Sequence, residues 1–372
     1  MLTVDVVSDP AAFAALKDDW NTLADRFATP LHRFEWFEAG WNAFGEGRKL
    51  ATFVVRDGER VRAIAPLMVE RASGFPRLII IGNETAEPNA ILYADDESLA
   101  ALTNGIMRHR VPLWLNRVRD DSSEMRSLQS ATGARRGPFF ANPRNTATAR
   151  ISVVEPWADF EKRMTAQSRQ TLRRKLRMAE RSGSVRLEVV APDLASVDNQ
   201  LQQVFEVESG GWKGRNGTAI LSDPQIHRFY SEYGRKAAEL GILRLHLLWV
   251  DDTLAAVRMA VEVENTLWEL KIGYDEQFAK WSPGVVLTHE TIRHAFEHGL
   301  SGLEFLGRAE YWQRHWPVET EACSAIRYYP LSISSIAALT YDSWDLLARR
   351  IAAKWSPQRR RFLKQEEFTD PS

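Results

Sequence analysis

The stretch Leu267-Trp-Glu-Leu-Lys-Ile-Gly-Tyr-Asp275, running on to Trp281-Ser-Pro-Gly284, decides how the chain is read. Glu269 and Lys271 alternate with Leu270 and Ile272, the period of a half-buried strand, so both charged side chains are expected on one face. That face is either a cleft or solvent. After a short loop, Ser282 is a candidate N-cap and Pro283 a first helical residue, opening a helix over about 284–298. Gly284 would let a ligand approach the backbone closely. The N–H groups of such a helix start suit a phosphate or a carboxylate. An ordinary capped helix uses the same residues, so spacing alone leaves both readings open.

Outward from this element, one order of elements occurs twice. The second occurrence comprises a strand at 185–190, helices over about 194–208 and 223–239, and strands at 243–250, 254–263 and 266–274. The helix at 284–298, a strand at 303–306 and a last strand at 323–329 complete it. The first comprises a strand at 3–7, a helix from Pro10 to about Phe27 and an aromatic helix over Phe34–Phe44. Strands at 51–56, 61–69 and 77–82, a helix at 96–109 and a strand at 111–118 complete that half. Asp57-Gly58 and Asp251-Asp252 occupy the same hairpin turn. The repeat predicts an α/β (α+β) fold used twice, each unit a mixed sheet flanked by helices. The weakest pattern lies at 135–148, so domains are expected at 1–145 and 146–330. Two features fall outside the repeat: a basic helix over 157–181 and a C-terminal helical tail, 331–372.

Composition excludes several classes of function. With 48 Lys+Arg against 49 Asp+Glu in 372 residues, the chain lacks the cationic excess of a dedicated DNA binder. A lone Cys323 leaves no disulfide framework and no thiolate zinc site, and an apparent strand around it suggests a buried thiol. No run reaches the roughly 18–20 apolar residues of a membrane span. The first ten residues have no basic n-region. A cytoplasmic protein is therefore expected.

The run Lys271-Ile-Gly-Tyr-Asp-Glu-Gln-Phe-Ala-Lys-Trp-Ser-Pro-Gly284 resembles the CelD-like acyltransferases, as do Leu287 and the Gly299…Leu303-Glu-Phe-Leu-Gly307 element. This branch of the GNAT superfamily is tied to bacterial exopolysaccharide synthesis and is related to the Fem aminoacyltransferases. Ser168-Arg-Gln-Thr-Leu-Arg-Arg-Lys-Leu-Arg177 and Glu208-Ser-Gly-Gly-Trp-Lys-Gly214 look similar to the same family. The resemblance is good over about 150–320 and implies two tandem GNAT-like units. It further implies acyl-CoA, commonly acetyl-CoA, as cosubstrate without a metal, and an amine of a sugar or polysaccharide precursor as acceptor. On that reading the donor meets Lys271, Ser282, Pro283, Gly284 and Arg314, and the acceptor meets Arg173, Trp212, Lys213 and Tyr311. The chain departs from the superfamily by lacking the Gly-x-Gly or Gly-x-Ala pyrophosphate loop, in whose place stands Trp-Ser-Pro-Gly. Aminoacyl-tRNA, the donor of the Fem relatives, is therefore the alternative. A non-catalytic polysaccharide-assembly protein on the same fold is the competing class.

Acyl transfer to an amine needs a base for the amine and an acid for the leaving thiolate. Glu208, Glu269 and Glu304 are the candidate bases and Tyr274 the candidate acid; each has a structural alternative as a surface acid, an ion-pair partner or a packing residue. Main-chain N–H groups of the 267–275 strand could hold the thioester oxygen. The basic helix carries eight Lys/Arg between Lys162 and Arg181, facing only Glu180. It is either a solvated face or an anion-binding wall. The tail interleaves Arg349-Arg350, Lys354 and Arg359-Arg360-Arg361 with Trp344, Trp355 and Phe362. Arginine with aromatics suits a cyclic dinucleotide such as cyclic di-GMP, a peripheral place at the inner membrane, or a plain amphipathic helix. His289-Glu290 lacks the second histidine of a metalloprotease motif, since Arg293 stands there. His294 and His298, four apart, have no third ligand in view.

Overall fold

The computed structural model describes residues 1–88, 91–133, 137–142, 147–211 and 219–355. The first half runs β1 (Leu2–Val7), α1 (Pro10–Ala14), α2 (Lys17–Ala24), α3 (Phe34–Phe44), β2 (Lys49–Leu50), β3 (Thr52–Asp57), β4 (Arg60–Ala65), β5 (Leu67–Ala72) and β6 (Phe75–Ile80). It continues with β7 (Leu92–Tyr93), α4 (Asp96–Arg108), β8 (Leu113–Arg119), α5 (Ser123–Gly133) and β9 (Phe139–Asn142). The second half runs β10 (Thr148–Ser152), α6 (Trp157–Arg163), α7 (Ala166–Glu180), β11 (Val185–Val190), α8 (Val197–Ser209), α9 (Pro224–Glu239), β12 (Leu243–Val250), β13 (Thr253–Val263) and β14 (Thr266–Tyr274). Then come α10 (Pro283–Glu297), β15 (Gly302–Glu304), β16 (Glu319–Glu321), β17 (Cys323–Tyr328) and α11 (Ile333–Trp355).

The fold is α/β, with mixed sheets flanked by helices. The second half builds one seven-stranded sheet, in the order β11-β12-β13-β14-β15-β10-β16. The first half divides its strands between a four-stranded sheet, β1-β3-β4-β7, and a six-stranded one, β2-β5-β6-β8-β17-β9. Pro66 explains the division. The expected single strand 61–69 crosses Pro66, which has no N–H for a ladder. The chain bends there, and its two parts, β4 and β5, join different sheets. The Pro66 carbonyl still accepts the Ile81 N–H at 2.9 Å.

Three further expectations are corrected. The basic helix over 157–181 is two helices, because Thr165 leaves helical geometry and caps α7 by accepting the Ser168 N–H at 3.1 Å. The helix expected from Pro10 to about Phe27 is likewise two short ones, α1 and α2. The strand expected to close the second unit, 323–329, crosses back and pairs with β8 and β9 of the first half. Alternating apolar residues fix that such a segment is a strand but say nothing of its partner.

The two halves share a core. Trp36 of α3 meets Phe229 and Tyr233 of α9 edge to face, with ring centroids 4.9 and 4.8 Å apart. These rings are buried, and each such pair adds about 0.5–1.5 kcal/mol beyond area burial. Thr85 and Glu87 of the first half line one cavity together with residues of β14.

Candidate active site

β14 and β15 run parallel and pair over three residues: Thr266 with Gly302, Leu267 with Leu303 and Trp268 with Glu304. Beyond Trp268 they part. A cavity of about 470 Å³ opens at the parting, lined by Glu208, Glu269, Lys271, Tyr274, Ser282 and Gly284, with Thr85 and Glu87 reaching in from the first half.

The β13–β14 ladder shifts register at this point: Met259 faces Lys271, but Ala260 faces Glu269, so Leu270 is an extra residue. Such a bulge leaves one residue outside the ladder and reverses the facing of the residues after it. The expectation that Glu269 and Lys271 share a face is therefore wrong. Glu269 lies against Arg258 at 2.8 Å, and fully buried Arg258 donates to Thr288 of α10 at 2.7 Å. Thr288 in turn donates to the Gly284 carbonyl at 2.8 Å. This chain ties the first turn of α10 to the sheet, and it gives Glu269 a structural cation. Lys271 points the other way, its ammonium 4.8 Å over the Tyr230 ring of α9.

Around Lys271 stand two carboxylates. Glu208 is buried near the end of α8 and accepts the Ile220 N–H at 2.9 Å. The strand can come so close to α8 because residue 273 is glycine: a Cβ there would sit 2.4 Å from the Glu208 Cα. Glu87 comes from a first-half loop, accepts the Gly307 N–H at 2.9 Å and lies 4.0 Å from Arg117. Burial pushes the Glu87 carboxyl up, against the pull of the Gly307 N–H, Arg117 and Lys271. Tyr230 is held well above its ordinary value by burial and then by Glu87 and Glu208.

The start of α10 differs from the expected cap. Ser282 takes a left-handed conformation, φ 56°, and its side chain caps nothing. Its Oγ accepts instead from the Lys175 ammonium of α7 at 2.6 Å. Partial burial, then Arg174, lowers the Lys175 pKa. The first turn of α10 holds no acid, and a Cβ on Gly284 would lie in ordinary contact with Tyr274, 3.7 Å away, and with Ile272. A helix start with a lysine beside it and no acid in its first turn has the electrostatics that favour an anion.

The remaining expected residues scatter. Pro283 is the first residue of α10 and is buried. Arg173 projects from α7 into solvent, with Glu161 at 4.0 Å. Tyr311 and Arg314 stack on each other, 3.0 Å from guanidinium to ring centroid, outside the cavity; their neighbours Trp312 and Gln313 line it. Trp212, Lys213 and Arg359-Arg360-Arg361 lie outside the described residues. Glu304 faces a second cavity of about 570 Å³ between the halves, with Tyr93, Arg117, Arg119, Arg150 and Trp268. Leu306 lines both cavities. Burial raises the Glu304 carboxyl to about 7, even with Arg150 at 3.5 Å. Sequence reasoning missed Glu87 and did not single out Lys175. Lys175 was visible as one cation of the basic helix, whereas nothing local marks Glu87.

Residues 166–314 match the family model described as an acetyltransferase (GNAT) domain. The second half carries a GNAT domain, and the protein is an acyltransferase. The parting strands, the bulge and the α10 start with Lys175 all fall inside the matched residues. No curated protein matches the chain. A conserved protein of unknown function from Bacteroides thetaiotaomicron is similar in structure (TM-score 0.55, 10% identity), over 88% of this chain and 100% of that one. A C-terminal domain (DUF2156) assigned to a lysylphosphatidylglycerol synthetase of Agrobacterium fabrum is similar at TM-score 0.52 and 12% identity, over 88% and 96%. FemX is similar at 0.52 and 11%, over 80% and 91%. At such identities the likeness is one of fold, and it extends over both halves rather than the GNAT domain alone. No described helix is long and apolar enough to cross a membrane.

Proposed function

We propose that the protein transfers an acyl group, in the first instance acetyl, from acyl-CoA to an amine of an exopolysaccharide or cell-envelope sugar precursor. The observation that carries this reading is the cavity where β14 and β15 part, lined by Ser282 and Gly284 of the α10 start, with Lys175 bonded to Ser282. In this reading the CoA pyrophosphate lies on the first turn of α10 beside Lys175, and the acyl group enters the gap between the strands. Lys271 takes no part in phosphate binding, because its ammonium lies over Tyr230. The N–H released by the bulge at Leu270 donates to the thioester oxygen.

The acceptor approaches through the second cavity, which shares Leu306 as a lining residue with the first. Its amine nitrogen bonds to the carbonyl carbon and the C–S bond breaks. The amine proton passes to Glu208, directly or through a water, and the thiolate takes a proton from Tyr274. Glu87 and Lys271 set the field around Glu208. Glu269 transfers no proton, since Arg258 holds it.

The test is thiol release from acetyl-CoA and longer acyl-CoAs over a panel of amino sugars, with mass spectrometry of the product. Release that depends on an amino sugar supports the reading. The missing Gly-x-Gly loop before α10 favours a second donor, aminoacyl-tRNA. Discharge of charged tRNA with no thiol release from any acyl-CoA would replace the first reading by this one.

A further inference from the structure

The last described element, α11, touches the body along one side. Ser335 and Ala338 are fully buried, and Asp342 accepts from the Tyr329 hydroxyl at 2.7 Å and from Arg77. These positions recur at intervals of three and four, one face of a helix. The other side carries Ile333, Ile336, Trp344, Leu347 and Ile351, which are 90, 55, 70, 50 and 50% exposed. They also keep helical spacing, and they form an apolar stripe about 27 Å long at 1.5 Å per residue. The stripe is interrupted at Thr340, but two exposed apolar groups on one helix face, Ile333 with Ile336 and Trp344 with Leu347 and Ile351, mark an interaction site.

Charge says what covers it. The last turns of α11 carry Arg349, Arg350 and Lys354 in the sequence, and Arg359-Arg360-Arg361 lies just beyond. The acids of α11 are Asp342 and Asp345, and Asp342 is held inward by Arg77 and Tyr329. An apolar stripe running into charge of one sign fits a surface that is apolar within and negative outside. A second copy of the helix laid alongside in parallel would bring those like charges together.

We propose that α11 lies in the interface of a membrane containing anionic lipid and docks the catalytic body on it, its stripe among the acyl chains and its cations on the headgroups. The attachment is independent of which acyl donor is used. The test is co-sedimentation of the full chain with vesicles of phosphatidylcholine alone and of phosphatidylcholine mixed with phosphatidylglycerol. The protein should sediment with the mixed vesicles only and be released by high salt. Trp344→Glu with Leu347→Glu should abolish sedimentation. Arg349→Gln with Arg350→Gln and Lys354→Gln should lower partitioning on the order of a hundred-fold. Both variants alter the outer side or the end of α11, so circular dichroism and thiol release should match wild type. Equal binding to both vesicles, or binding to neither, overturns the proposal. Dimerisation abolished by Ile336→Glu, without vesicle binding, would overturn it in favour of a second copy as the occupant.

Discussion

The two halves offer the same pair of parallel strands that then diverge, yet the helix starts that go with them differ in charge. In the first half β6 and β8 pair at Leu78–Leu113 and Ile79–Trp114, and beyond them Asn116 donates to Asn83 at 2.7 Å across the gap. The helix between β6 and β8 in the chain, α4, begins with a capping box: Asp95 accepts the Ser98 N–H at 2.9 Å, and Asp96 and Glu97 fill its first turn. Three acids at a helix start satisfy the dipole and repel a phosphate. At α10 the same place holds Ser282-Pro283-Gly284, no acid in the first turn, and Lys175 within hydrogen-bond reach. The frame occurs twice, and the charge at the helix start differs between the copies; under the proposed function that charge separates a structural copy from a binding one.

The comparison breaks first if chemistry does not depend on the second half's cavity. Glu208→Gln keeps the shape and the Ile220 contact but removes the base, so kcat should fall about 10²–10⁴-fold with KM for the donor little changed. Unchanged turnover would take Glu208 out of the mechanism.

The next effect is on stability and sharpens the role of the second cavity. Glu304 titrates at about 7 in the fold, above the ordinary 4.5, so the folded state keeps its proton where the unfolded chain has lost it. Stability from this group is full below about pH 4.5 and falls as pH rises to about 7, by up to about 3 kcal/mol. Glu304→Gln removes that loss. Its melting temperature relative to wild type should therefore climb between these pH values and level off above them. A pH-independent difference would contradict the buried acid.

Lys175 tests the contrast in charge directly. Lys175→Ala should raise KM for acyl-CoA on the order of ten-fold and leave kcat nearly unaltered. The smallest effect belongs to the first half: Asp95→Ala loses a helix cap and should cost about 1 kcal/mol of stability. Donor KM should not move; a change there would mean the first half also binds donor.

Much of this was legible in the sequence. The broad order of strands and helices, the Asp57-Gly58 and Asp251-Asp252 turns, and the strand-loop-helix over 267–298 follow from period and from Pro283 at the helix start, although the expected Ser282 cap does not form. The bulge at Leu270 was not, because Trp-Glu-Leu-Lys-Ile is compatible with plain alternation and only pairing with β13 reveals the extra residue. Glu87 was hidden for a different reason: its partner Gly307 is 220 positions away. Lys175 was lost among like neighbours, since composition marks a basic helix but not which cation its packing turns toward Ser282. The crossing of β17 into the first half is a choice of partner that its own residues do not encode.

The most direct test of the central claim is calorimetric titration of the full chain with acetyl-CoA, beside Lys175→Glu and a variant with Asp95→Ala and Asp96→Ala. Wild type should show one site per chain, Lys175→Glu should lose it, and the Asp95/Asp96 variant should keep it unchanged. Two sites, a site indifferent to Lys175, or no binding of any acyl-CoA would contradict that claim.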